Sequence, residues 1–190
     1  MTTPVRIAFL DRDGVINQYL PGEYVRTPDE LVILPGVVDA IKALKNAGWQ
    51  VAMVTNQQGI GKGLMTPADL DAVHAKLHAA LESAGTQLHA VRVCPHLASD
   101  ACACRKPKPG MILDIAADLG ADVRNAVFFG DTDSDAAAAR AAGVAAFHLI
   151  LGGKRTAEDA LQTKYFPTPP DGIYPDLLSA VTSLLQISNR

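Results

Sequence analysis

Two rhythms of apolar residues take turns along this chain. Short, mostly apolar runs at Val5–Leu10, Gln50–Val54, His89–Val93, Asn125–Phe129 and Ala145–Ile150 read as five strands. Between them, apolar residues recur at three- and four-residue intervals, as helices require. A helix is expected from Val37, with Val37, Ile41 and Leu44 on one face and Gly48 as its stop. A second opens at Thr66, with Pro67 in the first position and Asp69 in the first turn, and buries Leu70, Val73, Leu77 and Leu81. Met111–Leu119, closed by Gly120, and an alanine-rich stretch through Ala142, closed by Gly143, read as two more. Leu177, Leu178, Val181, Leu184 and Leu185 mark a C-terminal amphipathic helix. Strands alternating with helices predict an α/β protein built on a central parallel sheet.

The interruptions are as informative as the elements. Asn17–Pro35 carries Pro21, Gly22, Pro28 and Pro35, too punctuated for a regular helix. After the Gly152-Gly153 turn, the polar stretch to Pro170 is expected to be loop with a short helical piece. No repeat or second domain boundary is visible, so residues 1–190 are read as a single domain with a loop at 94–104 inserted. With 48% hydrophobic residues the chain can bury a proper core, and a formal charge of -3 offers no footprint for nucleic acid or an anionic membrane. The N-terminal residues have no signal-peptide pattern and no apolar run approaches membrane-spanning length, so a cytoplasmic protein is expected.

Against that frame one stretch stands out. The first apolar run ends in Asp11-Arg12-Asp13-Gly14. Side chains alternate along a strand, so Asp11 and Asp13 share one side as the chain leaves the sheet. Two carboxylates this close require a cation, or a proton on one of them. Functional residues of open α/β sheets gather at the carboxyl ends of the strands, and three further groups fall at such ends or near them. Thr55, with Asn56, Gln57 and Gln58, follows the second strand; Asp131 and Asp135 follow the fourth; Arg105 and Lys106 precede the helix at Met111, on an approach stiffened by Pro107 and Pro109. If the first strand is central, these groups converge. The set reads as a phosphoryl-transfer site: one aspartate attacks phosphorus, a second protonates the leaving oxygen, Mg²⁺ offsets the negative charge, and a hydroxyl, backbone amides and a lysine hold the transferring oxygens.

The four groups together resemble the haloacid dehalogenase (HAD) superfamily of aspartate-nucleophile phosphohydrolases: Asp11-Arg12-Asp13-Gly14-Val15, Thr55, Lys106, and Gly130-Asp131 with Asp135. More narrowly, Asp11–Asn17, Thr55-Asn56-Gln57, Cys94-Pro95-His96 and Cys104-Arg105-Lys106-Pro107 with Pro109-Gly110-Met111 are similar to the heptose-bisphosphate phosphatase subfamily, with the histidinol-phosphate phosphatases as near relatives. The resemblance implies a three-layer Rossmann-like HAD fold without a large cap domain. Asp11 is then the nucleophile and Asp13 the acid and later base. Asp11, the backbone carbonyl of Asp13, and Asp131 hold Mg²⁺, while Thr55, Asn56 and Lys106 grip the transferring phosphate. Arg12, Gln57, Gln58 and Arg105 are expected to touch the rest of the substrate. The implied substrate is a small phosphorylated sugar, D-glycero-D-manno-heptose 1,7-bisphosphate losing its C7 phosphate; the alternative is histidinol phosphate or another small sugar phosphate. A monomer is the family expectation. The chain departs from the subfamily pattern at Thr132, where a lysine is expected, at Lys62, which replaces an arginine, and in the short loop between His96 and Cys102.

The cysteine-bearing loop has its own logic. Cys94, His96, Cys102 and Cys104 put three thiols and an imidazole within eleven residues, enough for a closed, structural zinc site next to Arg105 and Lys106. By contrast His74 and His78, though one helical turn apart, lack a third ligand and read as surface or edge histidines, and His148 as structural. Gly59, Gly61 and Gly63 around Lys62 lack phosphate-loop spacing and read as turns or a flap. Two non-enzymatic readings compete: a phosphorylated receiver module, against which the position of the acidic pair, the zinc loop and the extra length all count, and a zinc-scaffold binding protein. Carbon–halogen cleavage shares the aspartate nucleophile but leaves no alkoxide for Asp13 to protonate.

Overall fold

The computed structural model describes residues 4–188. Six strands form one parallel sheet in the order β3-β2-β1-β4-β5-β6. They are β1 (Arg6–Leu10), β2 (Trp49–Asn56), β3 (Ala90–Cys94), β4 (Val127–Gly130), β5 (Ala146–Ile150) and β6 (Gly172–Tyr174). The helices are α1 (Val37–Asn46), α2 (Pro67–Ser83), α3 (Gly110–Asp118), α4 (Asp133–Ala142), α5 (Ala157–Ala160) and α6 (Leu177–Ser188).

The period-two rule explains the layering. Ala8 and Leu10 of β1, Val51 and Met53 of β2 and Phe129 of β4 face one way and pack with Ile41, Leu77 and Val181, from α1, α2 and α6. Ile7, Phe9, Ala52, Val54 and Phe128 face the other way and pack with Ile112, Ile115 and Ala139, from α3 and α4. Both faces are thus covered, the condition for an all-parallel sheet. Among the described residues, nothing outside this three-layer sandwich is large enough to form a cap domain, and no helix is long and apolar enough to cross a membrane.

Local signals hold where they were strongest. Thr66 Oγ1 accepts from the backbone N–H of Asp69 at 3.1 Å, and Asp69 returns the bond by accepting from Thr66 N at 2.7 Å. Between β1 and α1 the chain forms no regular helix, only a 3₁₀ turn at Pro28–Glu30. Two strand ends shift by two residues, the others by at most one. β2 runs on to Asn56 because β3 pairs with it up to Asn56↔Cys94, and β4 starts at Val127 because a 3₁₀ turn capped by Asp122 occupies Val123–Asn125. β6 is the element the periodicity misses. Its three residues show no alternation, and the strand exists because the edge of β5 offers a ladder, pairing His148 with Gly172 and Ile150 with Tyr174.

Candidate active site

β1 lies between β2 and β4, with Leu10 paired to Met53 on one side and Phe129 on the other. The strand-end groups therefore meet at one cleft of about 170 Å³. Its lining includes Asp11, Asp13, Thr55, Asn56, Gln58, Arg105, Lys106 and Asp135. At its floor the Lys106 ammonium lies 2.7 Å from Asp11 Oδ1 and 2.6 Å from Asp135 Oδ1, and donates to the carbonyl of Val54 at 3.0 Å. Burial works against the charge on Lys106, but the two carboxylates outweigh it and raise its pKa. Asp11 is pushed up to about 6, first by burial and then by the charges of Asp135 and Asp13, with Lys106 opposing.

Asp135 has two tasks. Its Oδ2 accepts from the backbone N–H groups of Asp131 and Thr132, at 3.2 and 3.1 Å, and so caps α4, while Oδ1 faces Lys106. One carboxylate thus serves the helix start through one oxygen and the cleft lysine through the other. Carboxylate oxygens of Asp11, Asp131 and Asp135 lie within 4.8 Å of one another. Asp131 Oδ1 is buried without a hydrogen-bond partner, and burial together with Asp11 and Asp135 raises its pKa well above the usual carboxylate value. A dication facing Asp11 and Asp131 resolves both conditions, because it satisfies the orphaned oxygen and stabilises the ionised forms. Mg²⁺, which prefers carboxylate oxygen, suits this donor set.

Two glycines make room for Asp131. At Gly14, whose φ is +91°, a Cβ would sit 2.6 Å from Asp131 Oδ2, and at Gly153 it would overlap the same carboxylate. Gly153→Ala is accordingly expected to displace Asp131 and raise the Mg²⁺ concentration needed for half-maximal activity by about tenfold or more. A Mg²⁺ titration of wild type and variant checks this, and an unchanged titration midpoint contradicts it.

Two expected substrate contacts are placed elsewhere. Arg12 is 0% exposed, and its guanidinium donates to Asp13 and to His74 Nε2. Gln57 is 1% exposed and donates to Asp13 Oδ2 and Thr55 Oγ1. Neither lines the cleft; both are buried and bonded to Asp13. Burial raises the pKa of Asp13, but Arg12, Asn17 and Gln57 outweigh it and hold the carboxyl below the usual range, so Asp13 is ionised here. His74 is buried, not a surface residue. A guanidinium only donates, so His74 Nε2 carries the lone pair and the ring is neutral, its pKa lowered to about 4 by burial and by Arg12. Asn56 lines the cleft, yet its amide group is engaged on the main chain of Lys106, donating to its carbonyl at 3.0 Å and accepting from its N–H at 3.1 Å. Gln58 accepts from Arg105 at 3.1 Å.

The cleft also has residues that the sequence reading overlooked: Tyr19 and Tyr24 from the loop after β1, Ser134, and Lys154 from the loop after β5. The first two lie on the connection Asn17–Pro35, where no motif marks them. Gly61 is a packing turn, not a phosphate loop; its N–H donates to Pro95 O at 3.0 Å.

Beside the cleft, the cysteine loop gathers its donors. Cys94 Sγ is 3.6 Å from His96 Nδ1 and 3.7 Å from Cys102 Sγ, and Cys104 Sγ is 3.3 Å from His96 Nδ1 and 3.4 Å from Cys102 Sγ. Ligands held ~2.0–2.3 Å from a common centre lie about 3.3–3.8 Å apart in a tetrahedron, so the set is compatible with zinc. Without a cation the thiols resist ionising together: burial and the neighbouring Cys94 and Cys102 push Cys104 up to about 12.

Residues 5–143 match the haloacid dehalogenase-like hydrolase family. Over 183 residues the chain is 39% identical to the D-glycero-beta-D-manno-heptose-1,7-bisphosphate 7-phosphatase of Pseudomonas aeruginosa, spanning 95% of this chain and 98% of that one. The enzyme of the same name from Bordetella bronchiseptica is 42% identical over 151 residues, 80% of this chain and 84% of that one. The crystal structure of D,D-heptose 1.7-bisphosphate phosphatase from B. bronchiseptica, complexed with magnesium and phosphate, superposes with a TM-score of 0.84 at 38% identity, covering 96% of this chain and 99% of that one. The family match over most of the chain and the shared fold together place it: this chain belongs to the haloacid dehalogenase-like hydrolase family.

Proposed function

We propose that the protein is a Mg²⁺-dependent phosphoric monoester hydrolase that removes the C7 phosphate of D-glycero-D-manno-heptose 1,7-bisphosphate through an aspartyl-phosphate on Asp11. The observation that carries the chemistry is the pairing of Lys106 with Asp11 at 2.7 Å on the floor of a cleft that Asp13 also lines. The relatives' names support the sugar. Asp11 attacks phosphorus, with one oxygen oriented by Lys106 so that the other faces the substrate. Thr55 and Lys106 hold the transferring oxygens, and Asn56 supports them by fixing the main chain of Lys106. Asp13 is ionised before substrate arrives, and the like charge of an incoming phosphate raises its pKa, so that it takes up a proton from solvent and then delivers it to the leaving alkoxide. It recovers a proton when it activates the water that hydrolyses the aspartyl-phosphate. Asp11, Asp131 and the carbonyl of Asp13 would hold Mg²⁺, which, when bound, neutralises charge on the transferring group.

Cys94, His96, Cys102 and Cys104 hold a structural zinc in this reading. The ion fixes the loop from which Arg105 reaches Gln58 and the cleft. Cys102→Ser is expected to abolish an otherwise roughly stoichiometric zinc content, measured by elemental analysis, because three remaining ligands do not close the tetrahedron. Full zinc retention in that variant contradicts the assignment. We take the protein to act as a cytoplasmic monomer; mass photometry tests the oligomeric state.

The decisive assay is a kinetic panel with Mg²⁺: both anomers of heptose 1,7-bisphosphate, fructose 1,6-bisphosphate and histidinol phosphate. The highest kcat/KM is expected on the heptose bisphosphate, by at least about tenfold over the others. Preference for histidinol phosphate would refute the sugar assignment while leaving the chemistry standing.

A further inference from the structure

Lys154 has no part in the mechanism above, yet it lines the same cleft as Asp11 and Asp13. Its backbone N–H donates to Asp131 Oδ2 at 3.1 Å, which ties its position to the acidic cluster, and its charge reaches that carboxyl without an ion pair. The side chain is exposed, and its ammonium rests 4.7 Å from the centre of the Tyr19 ring. Among the described residues it has no carboxylate within ion-pair distance and no hydrogen-bond acceptor.

The other two cations lining the cleft are differently occupied. Lys106 is shared by Asp11 and Asp135, and Arg105 is tied to Gln58 and to the His96 carbonyl. Sheet order separates them further. Arg105 follows β3 and Lys154 follows β5, and these strands lie on opposite sides of β1. A ligand whose transferring phosphate sits over Asp11 therefore meets Arg105 toward one side of the cleft and Lys154 toward the other.

We infer that Lys154 is a specificity-determining residue that takes a second anionic group, the phosphate that is not transferred, on the β5 side of the cleft. This deepens the proposed function and rests on it. An exposed ammonium resting on an aromatic ring makes only a weak cation–π contact, so it can exchange Tyr19 for charge-assisted hydrogen bonds to phosphate oxygens. Leaving the ring also uncovers the Tyr19 face for the carbon skeleton of the sugar. The residue supplies a cation near α4, where Thr132 carries none.

The test compares wild type, Lys154→Met and Lys154→Arg on heptose 1,7-bisphosphate and on heptose 7-phosphate, with Mg²⁺ saturating. The ratio of kcat/KM for the bisphosphate to that for the monophosphate is expected to fall at least about tenfold in Lys154→Met, chiefly through KM, and to recover in Lys154→Arg. An unchanged ratio in Lys154→Met, whether absolute rates fall or not, overturns the inference and leaves the phosphatase reading intact. A wild-type protein that turns over neither compound overturns the phosphatase reading and this inference with it.

Discussion

Asp11→Asn is expected to lower kcat by roughly four orders of magnitude or more, because it removes the group we propose to form the covalent intermediate. The substitution keeps shape and volume, so the effect reports chemistry and not packing. An amide oxygen is a poor nucleophile and a weaker partner for both Lys106 and a divalent cation. The cleft around it is expected to persist, since Asp11 is positioned by its own backbone, with its N–H donating to Phe129 O at 3.0 Å. Steady-state hydrolysis of a phosphomonoester checks the result, alongside circular dichroism showing that the variant is folded. Activity within about tenfold of wild type would mean that another residue attacks phosphorus.

Lys106→Met is expected to damage both stability and activity. Methionine matches the length of the stem, so the loss is that of the charge. Asp11 and Asp135 would then share a buried space with no cation between them. Breaking a buried pair in this way costs ~3–5 kcal/mol, which for a chain of this size lowers Tm by about 6–20 °C. Loss of the clamp we propose on the transferring group is expected to lower kcat/KM by about 10²–10³-fold besides. Calorimetry in the presence of a chelator reads the first effect and hydrolysis with Mg²⁺ the second. A Tm within about 2 °C of wild type would show that Lys106 is dispensable to the folded state.

Much of this site was legible one element at a time. Asp11 and Asp13 were visible because an apolar strand ended abruptly in charge, and Thr66 because its capping partner lies three residues away. The cysteine loop was visible because all four donors fall within eleven residues. From sequence, an arginine between Asp11 and Asp13 reads as a substrate ligand, whereas the fold buries it. Its burial against His74 depends on α2, more than fifty residues downstream. Asn56 looked like a phosphate ligand because it follows Thr55, whereas its amide is matched to the main chain of Lys106, fifty positions away. His74 looked like a surface residue because helical spacing alone does not reveal what faces it.

The sequence by itself determined the order of the first five strands and the longer helices between them, the parallel-sheet class, and the chemistry available at each strand end. Periodicity, caps and breakers act among neighbours along the chain, so contiguous residues suffice to encode them. Tertiary structure decided the rest. Strand order set β1 between β2 and β4; register brought Lys106 onto Asp11 across ninety-five positions. The return of the chain after β5 packed Gly153 against Asp131 and delivered Lys154 to the cleft. Those juxtapositions arise from long-range pairing and close packing, in which no residue carries information about its partner until the sheet has formed.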